Sequence, residues 1–165
     1  QFSAFLEAHA SEAAAFESRF FQIRNMLRAR SRSWWLALHR PYPQFEAVRK
    51  ALVRPNVYIV TTKDAASVQE ILAAWEVPVP DGRILGRESH TAKRDALQKI
   101  LATTGAPCSE LAFVDDHLPH LYSCLDLGVQ CYFAKWGFTP NQAALDPRIM
   151  AIDSLEGILG EGHVD

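Results

Sequence analysis

From residue 57 onward, short apolar runs alternate with longer stretches of helical spacing, and this alternation constrains the fold more than any other feature of the chain. VYIV (57–60) is a β-branched and aromatic run, and residues 64–75 read as a helix. ILG (84–86) reads as a short strand, AKRDALQKILAT (92–103) as a helix and LAFV (111–114) as a strand. Residues 117–127 then read as a helix, VQCYFA (129–134) and 149–152 as strands, and 153–159 as a terminal helix. Parallel neighbours need a crossover connection, and a helix between successive strands supplies it. The order therefore predicts a parallel α/β sheet flanked by helices.

The first quarter of the chain has a different texture. Phe5, Leu6, Phe16, Phe20, Ile23, Met26 and Leu27 fall roughly at helical spacing within residues 3–30, with alanines between them and no Gly or Pro. SRSWWLALHR extends this as a further short helix until the PYP at 41–43 breaks it, because proline fixes its own φ and restricts the residue before it. Residues 44–53 turn helical again. With 165 residues, one domain with a small appendage is expected: a helical segment over 1–41 and an α/β core over 42–165.

Charge is spread unevenly. Residues 19–54 hold nine basic side chains against the single acid Glu46, a net +8 in a chain of net −2, so the rest carries −10. A general nucleic-acid binder is thereby disfavoured. The basic stretch 19–40, with Trp34 and Trp35, keeps open a local module that binds by charge and stacking. Its plainer reading is a solvated basic helix face with tryptophans in the core. Cys108, Cys124 and Cys131 form no CxxC pair, which fits reduced thiols in a cytoplasmic compartment. No apolar run reaches the ~20 residues of a membrane span, and the opening residues lack the pattern of a signal peptide.

In a parallel sheet, ligands bind beyond the carboxyl ends of the strands. Thr61, Thr62 and Lys63 follow the first strand, Asp115 and Asp116 follow LAFV, and Lys135 and Trp136 follow VQCYFA. Lys93 opens the helix of residues 92–103, where the partial positive charge of a helix N-terminus favours an acid. A lysine there is either a solvent-facing residue offset by Asp95 or a functional exception. The adjacent carboxylates are either an acidic turn capping the next helix or a cation site, and oxygen donors without thiolate suit Mg²⁺. Neighbouring side chains in a strand point to opposite faces, so both acids can serve one site only where the strand ends. His117 and His120 could also ligate a metal, though no third ligand stands at a convincing spacing. A hydroxyl, an ammonium and two carboxylates at consecutive edges match what phosphoryl transfer requires. Receiver domains use similar parts in the order acidic pair, threonine, lysine, whereas the order here is Thr, Lys, Asp-Asp, which counts against that reading.

With these residues in view, the chain resembles the haloacid dehalogenase superfamily over about residues 42–160. VYIVTTKD is similar to its second motif, Lys93 in SHTAKRDALQKIL to its third, and LAFVDDHLPHL to its fourth in the double-aspartate form. YFAKWGF (132–138) resembles the Trp-Gly-aromatic stretch of the phosphoglycolate-phosphatase branch, and the helical opening resembles the tail of an inserted cap. The resemblance implies a Rossmann-like core. It implies a Mg²⁺-dependent phosphohydrolase acting on a small phosphomonoester through an aspartyl-phosphate intermediate. Thr61, or its neighbour Thr62, would bind the phosphate. Lys93 would stabilise the nucleophile and the phosphoryl charge. Asp115 and Asp116 would hold Mg²⁺. Where the family's other fourth-motif form has an acid, this chain has His120.

One part of the pattern is missing. The family's first motif, Asp-x-Asp on the central strand, supplies the nucleophile and general acid/base, and no stretch of the chain matches it. IDSLEG (152–157) is instead similar to the family's closing strand-to-helix edge. The expectation is a nucleophile upstream of residue 1. The alternative is a catalytically inactive binding or regulatory protein of the same fold.

Overall fold

The computed structural model describes residue 5, residues 8–138 and residues 145–159. The chain divides into two compact units, Gln1–Arg40 and Pro41–Asp165.

The first unit is helical. Helix α1 spans Ala10–Arg30 and α2 spans Arg32–Ala37, joined at Ser31. α1 buries none of its residues, and Phe16, Phe20 and Met26 are exposed along it. The tryptophan pair separates: Trp35 is buried while Trp34 is half exposed. The guanidinium groups of Arg24 and Arg28 lie 5.8 and 5.3 Å from the Trp35 ring centre, so part of the basic stretch serves cation–π contacts within its own unit.

The second unit is mixed α/β with parallel strands. It runs α3 (Phe45–Val48), β1 (Ile59–Val60), α4 (Ala65–Ala74), β2 (Ile84–Leu85), α5 (Lys93–Thr104), β3 (Ala112–Asp115), α6 (Leu118–Tyr122), β4 (Gln130–Ala134), β5 (Ile149–Ile152) and α7 (Glu156–Leu159). The strands form two separate parallel sheets, β1–β2 and β3–β4–β5, rather than one continuous sheet. β1 and β3 do not pair with each other, so among the described residues each keeps an edge without a strand partner.

Several elements are shorter than the apolar pattern predicts. VYIV contributes only Ile59 and Val60, which pair on one side alone. Residues 44–53 form a four-residue α-helix followed by a 3₁₀ turn over Ala51–Val53. The helix expected over 117–127 stops at Tyr122 and gives way to a 3₁₀ turn at Leu125–Leu127, ended by Gly128 at a φ of 76° that other residues rarely adopt. The closing helix begins at Glu156.

The principal core joins α5, α6 and the three-stranded sheet through Leu97, Ile100, Phe113, Leu121, Phe133 and Ile149. A second cluster, Val68, Leu72, Val77, Val79 and Ile84, packs α4 against β2. Helix α5 shows how the sequence sets the site. Its buried residues Lys93, Ala96, Leu97 and Ile100 stand at i, i+3, i+4 and i+7, one face of a helix. Lysine thus heads an apolar stripe. Gly105, in the left-handed conformation, ends the helix by donating its N–H to the Leu101 carbonyl. No helix among the described residues is long and apolar enough to cross a membrane.

Candidate phosphate and metal site

Lys93 is 7 % exposed at the N-terminus of α5. Its ammonium donates to the Val60 carbonyl, at the end of β1, and lies 3.9 Å from Asp115 Oδ2, at the end of β3. One side chain therefore joins the carboxyl ends of both sheets. Asp95 does not offset it; that carboxylate accepts the Ala92 N–H at 2.9 Å and caps α5. Burial pushes the Lys93 pKa down, and the charges of Asp115 and Asp116 pull it back up without reversing the shift.

β3 ends at Asp115, and Asp116 lies just past it, as two carboxylates serving one site require. Asp115 is 10 % exposed at its side chain. Its Oδ1 accepts the His117 N–H at 2.8 Å, and both its oxygens stand 3.2 Å from His120 Nδ1. Asp116 turns to the segment after β4, where its Oδ2 accepts the Phe138 N–H at 2.6 Å. The two carboxylates are therefore held by different elements.

At the end of β1, Thr61 donates its N–H to the Leu85 carbonyl at 3.0 Å, and its Oγ1 accepts the Lys63 N–H at 3.1 Å. That arrangement leaves the Thr61 hydroxyl hydrogen free to donate to an anion. Thr62 is exposed and Thr61 half-buried, so Thr61 is the better-fixed of the two. Thr61, Lys93 and Asp115 are brought together by the Val60–Lys93–Asp115 bridge, with Asp116 next in the chain.

The histidines take a role that their spacing alone does not reveal. Their rings lie 4.5 Å apart, and His120 is aimed at Asp115. His117 Nδ1 is buried without a partner. No cluster of three or more His, Cys, Asp or Glu side chains suited to a metal occurs among the described residues. The donor set at Asp115 and Asp116 fits Mg²⁺ nonetheless, because Mg²⁺ takes oxygen ligands, often one or two carboxylates, and completes its shell with water and substrate phosphate.

Beside this site, the free edges of β1 and β3 face a cleft of about 310 Å³. Tyr58, Val60, Ala112 and Val114 line it, together with Leu97 and Ile100 of α5 and Ile158 and Leu159 of α7. Thr61 bonds β2 through its N–H and Leu111 bonds β4 through its carbonyl, so by strand alternation Val60, Ala112 and Val114 turn their backbone groups the other way. Comparison with protein-family models, with curated proteins and with solved structures finds no match to this chain.

Proposed function

We propose that this chain carries the phosphate- and metal-binding part of a haloacid dehalogenase-type phosphohydrolase acting on a small phosphomonoester. The observation that carries this reading is the buried Lys93, bound to the Val60 carbonyl and 3.9 Å from Asp115, at the point where β1 and β3 end. A buried ammonium facing carboxylates and a fixed hydroxyl is suited to balancing the charge of a phosphoryl group. Thr61 would hydrogen-bond the phosphate, Lys93 would neutralise its oxygens, and Asp115 and Asp116 would hold Mg²⁺. When bound, Mg²⁺ would supply further positive charge to the phosphoryl oxygens.

The chemistry would proceed by attack of an aspartate carboxylate on phosphorus, with departure of the substrate alcohol. Water would then hydrolyse the aspartyl-phosphate to release phosphate and restore the carboxylate. Residues 1–165 offer no Asp-x-Asp for the first step. The cleft between β1 and β3 supports a strand there that would bring the nucleophile and complete one Rossmann-like sheet. Three free thiols agree with a cytoplasmic setting.

The test is a phosphomonoesterase assay on the native polypeptide with its intact mass measured alongside. Lys93→Ala should abolish turnover, and Asp116→Asn should raise the Mg²⁺ concentration needed for half-maximal rate. Full activity in Lys93→Ala would overturn the role given to Lys93, and unchanged metal dependence in Asp116→Asn that of the carboxylates. A mass of 18.5 kDa with no activity favours the second reading, a non-catalytic protein of this fold, for which the missing Asp-x-Asp speaks.

A further inference from the structure

The turn that follows β4 touches Asp116 in a way the residue types alone do not announce. Lys135 donates its N–H to the Ile152 carbonyl at 3.1 Å and pairs its ammonium with Asp153 at 2.6 Å, tying the start of the turn to the end of β5. Two residues on, Gly137 lies so close to Asp116 that a Cβ placed there would overlap the Asp116 Oδ2, Cβ and Cγ atoms. The next N–H, of Phe138, is donated to the same Oδ2 at 2.6 Å.

We propose that Gly137 is a positioning residue for Asp116: its missing side chain lets the turn close on the carboxylate, so that the Phe138 N–H fixes Oδ2 and orients the group toward a divalent cation. The proposal rests on the reading of Asp115 and Asp116 as a Mg²⁺ site. Hydrogen bonds to a ligating carboxylate set its orientation, and their loss commonly costs 10- to 100-fold in metal affinity. The three atoms nearest to such a Cβ all belong to Asp116, so the effect should pass through that side chain.

The experiment is a Mg²⁺ titration followed by amide NMR shifts of residues 115–117 and 137–138, with a thermal melt of each protein. Gly137→Ala should weaken Mg²⁺ binding by roughly 10- to 100-fold while the melt shows a cooperative fold. In an Asp116→Asn background the same change should add nothing, since its route of action is already gone. Phe138→Pro removes the N–H without adding an atom at position 137, and it should also weaken binding if Gly137→Ala fails to fold. Wild-type affinity in the folded Gly137→Ala or in Phe138→Pro overturns the proposal. So does an equal loss from Gly137→Ala with and without Asp116. A wild-type protein whose amides do not respond to Mg²⁺ overturns the metal reading itself, and the positioning role with it.

Discussion

Replacing Lys93 by Met tests whether this lysine is kept for chemistry or for stability. Two effects compete. The ammonium sits 3.9 Å from Asp115 Oδ2, an attraction of about 4 kcal/mol at an effective dielectric near 20. Against it stands the cost of taking an ammonium that is 7 % exposed out of water. The direction of the pKa decides between them: it is lowered, with burial the largest cause, so desolvation exceeds the attraction. Removing one member of a buried pair usually costs about 3–5 kcal/mol, because the other charge is stranded. Asp115 is not stranded here, since the His117 N–H at 2.8 Å and His120 at 3.2 Å remain. Met also keeps most of the apolar stem on the stripe with Ala96, Leu97 and Ile100.

Lys93→Met should therefore change stability at pH 7 by no more than about 1 kcal/mol, or 2–4 °C in Tm for a chain of this size, and a gain is as consistent with the reasoning as a small loss. The pH dependence is sharper. Below the lowered folded-state pKa, lysine is charged in both states and the burial penalty is fully present. Between that pKa and the ordinary 10.5, the unfolded chain holds a proton that the folded chain releases, so wild-type stability rises with pH. The Met variant lacks this rise, and the wild type should gain on it as alkaline pH is approached. Urea unfolding of both proteins from pH 7 to pH 10 measures the difference. A loss above about 3 kcal/mol at pH 7, or a gap that does not change with pH, would refute the argument and make Lys93 a structural ion-pair residue.

Two further outcomes follow from burial and pairing. Cys108 is exposed, whereas burial raises the thiols of Cys124 and Cys131, the latter to about 11, so a maleimide at pH 7.5 should label Cys108 in the folded protein and the other two only after denaturation; rapid labelling of Cys131 in the native state, read by mass spectrometry, would contradict its placement. Amide hydrogen exchange should be faster at Ala112 and Val114, which turn from β4 toward the cleft, than at Phe113 and at Cys131 and Phe133 of β4, which has a strand on each side. Equal protection across β3 would show that its cleft edge is already paired.

The sequence carried the order of elements well because each signal was local. β5 covers residues 149–152 as expected, and α4 and α5 agree within a residue, since their apolar stripes and caps lie inside the segments themselves. What failed depended on partners. VYIV contains four good strand residues, but strand length is set by the neighbour, and β2 offers only Ile84 and Leu85. The sheet expected from alternation is two sheets because β1 and β3 do not pair with each other, which agrees with the expectation that the central strand is not among these residues. At the site, Lys93, Thr61 and the aspartate pair were legible from their position after strands and at a helix start. The burial of Lys93 was not read from the sequence, where a lysine at a helix start passes as solvent-facing; its place on the stripe with Ala96, Leu97 and Ile100 shows in the structure. The contact of His120 with Asp115 and the closure of Gly137 on Asp116 were not legible either, because neither has a periodic signature: each depends on how a turn folds back.

The Val60 carbonyl connects the cleft to the chemistry. It belongs to the edge of β1 that has no strand partner, where a parallel neighbour would need it as an acceptor, and in this structure Lys93 takes it instead. An ammonium that satisfies a strand edge and also faces a carboxylate has two partners of different kinds. The carbonyl is neutral and would be lost to a strand entering the cleft; the carboxylate is charged and would stay. A strand bonded to Val60 would thus free one ammonium hydrogen at the carboxyl end of the sheet, where ligands of parallel folds bind. On the proposed function, the residue that takes the free carbonyl of β1 would be the one to become available to a phosphate if a strand filled the cleft. That gives a physical reason for a buried lysine at the head of an apolar stripe, a place where packing alone would have favoured leucine.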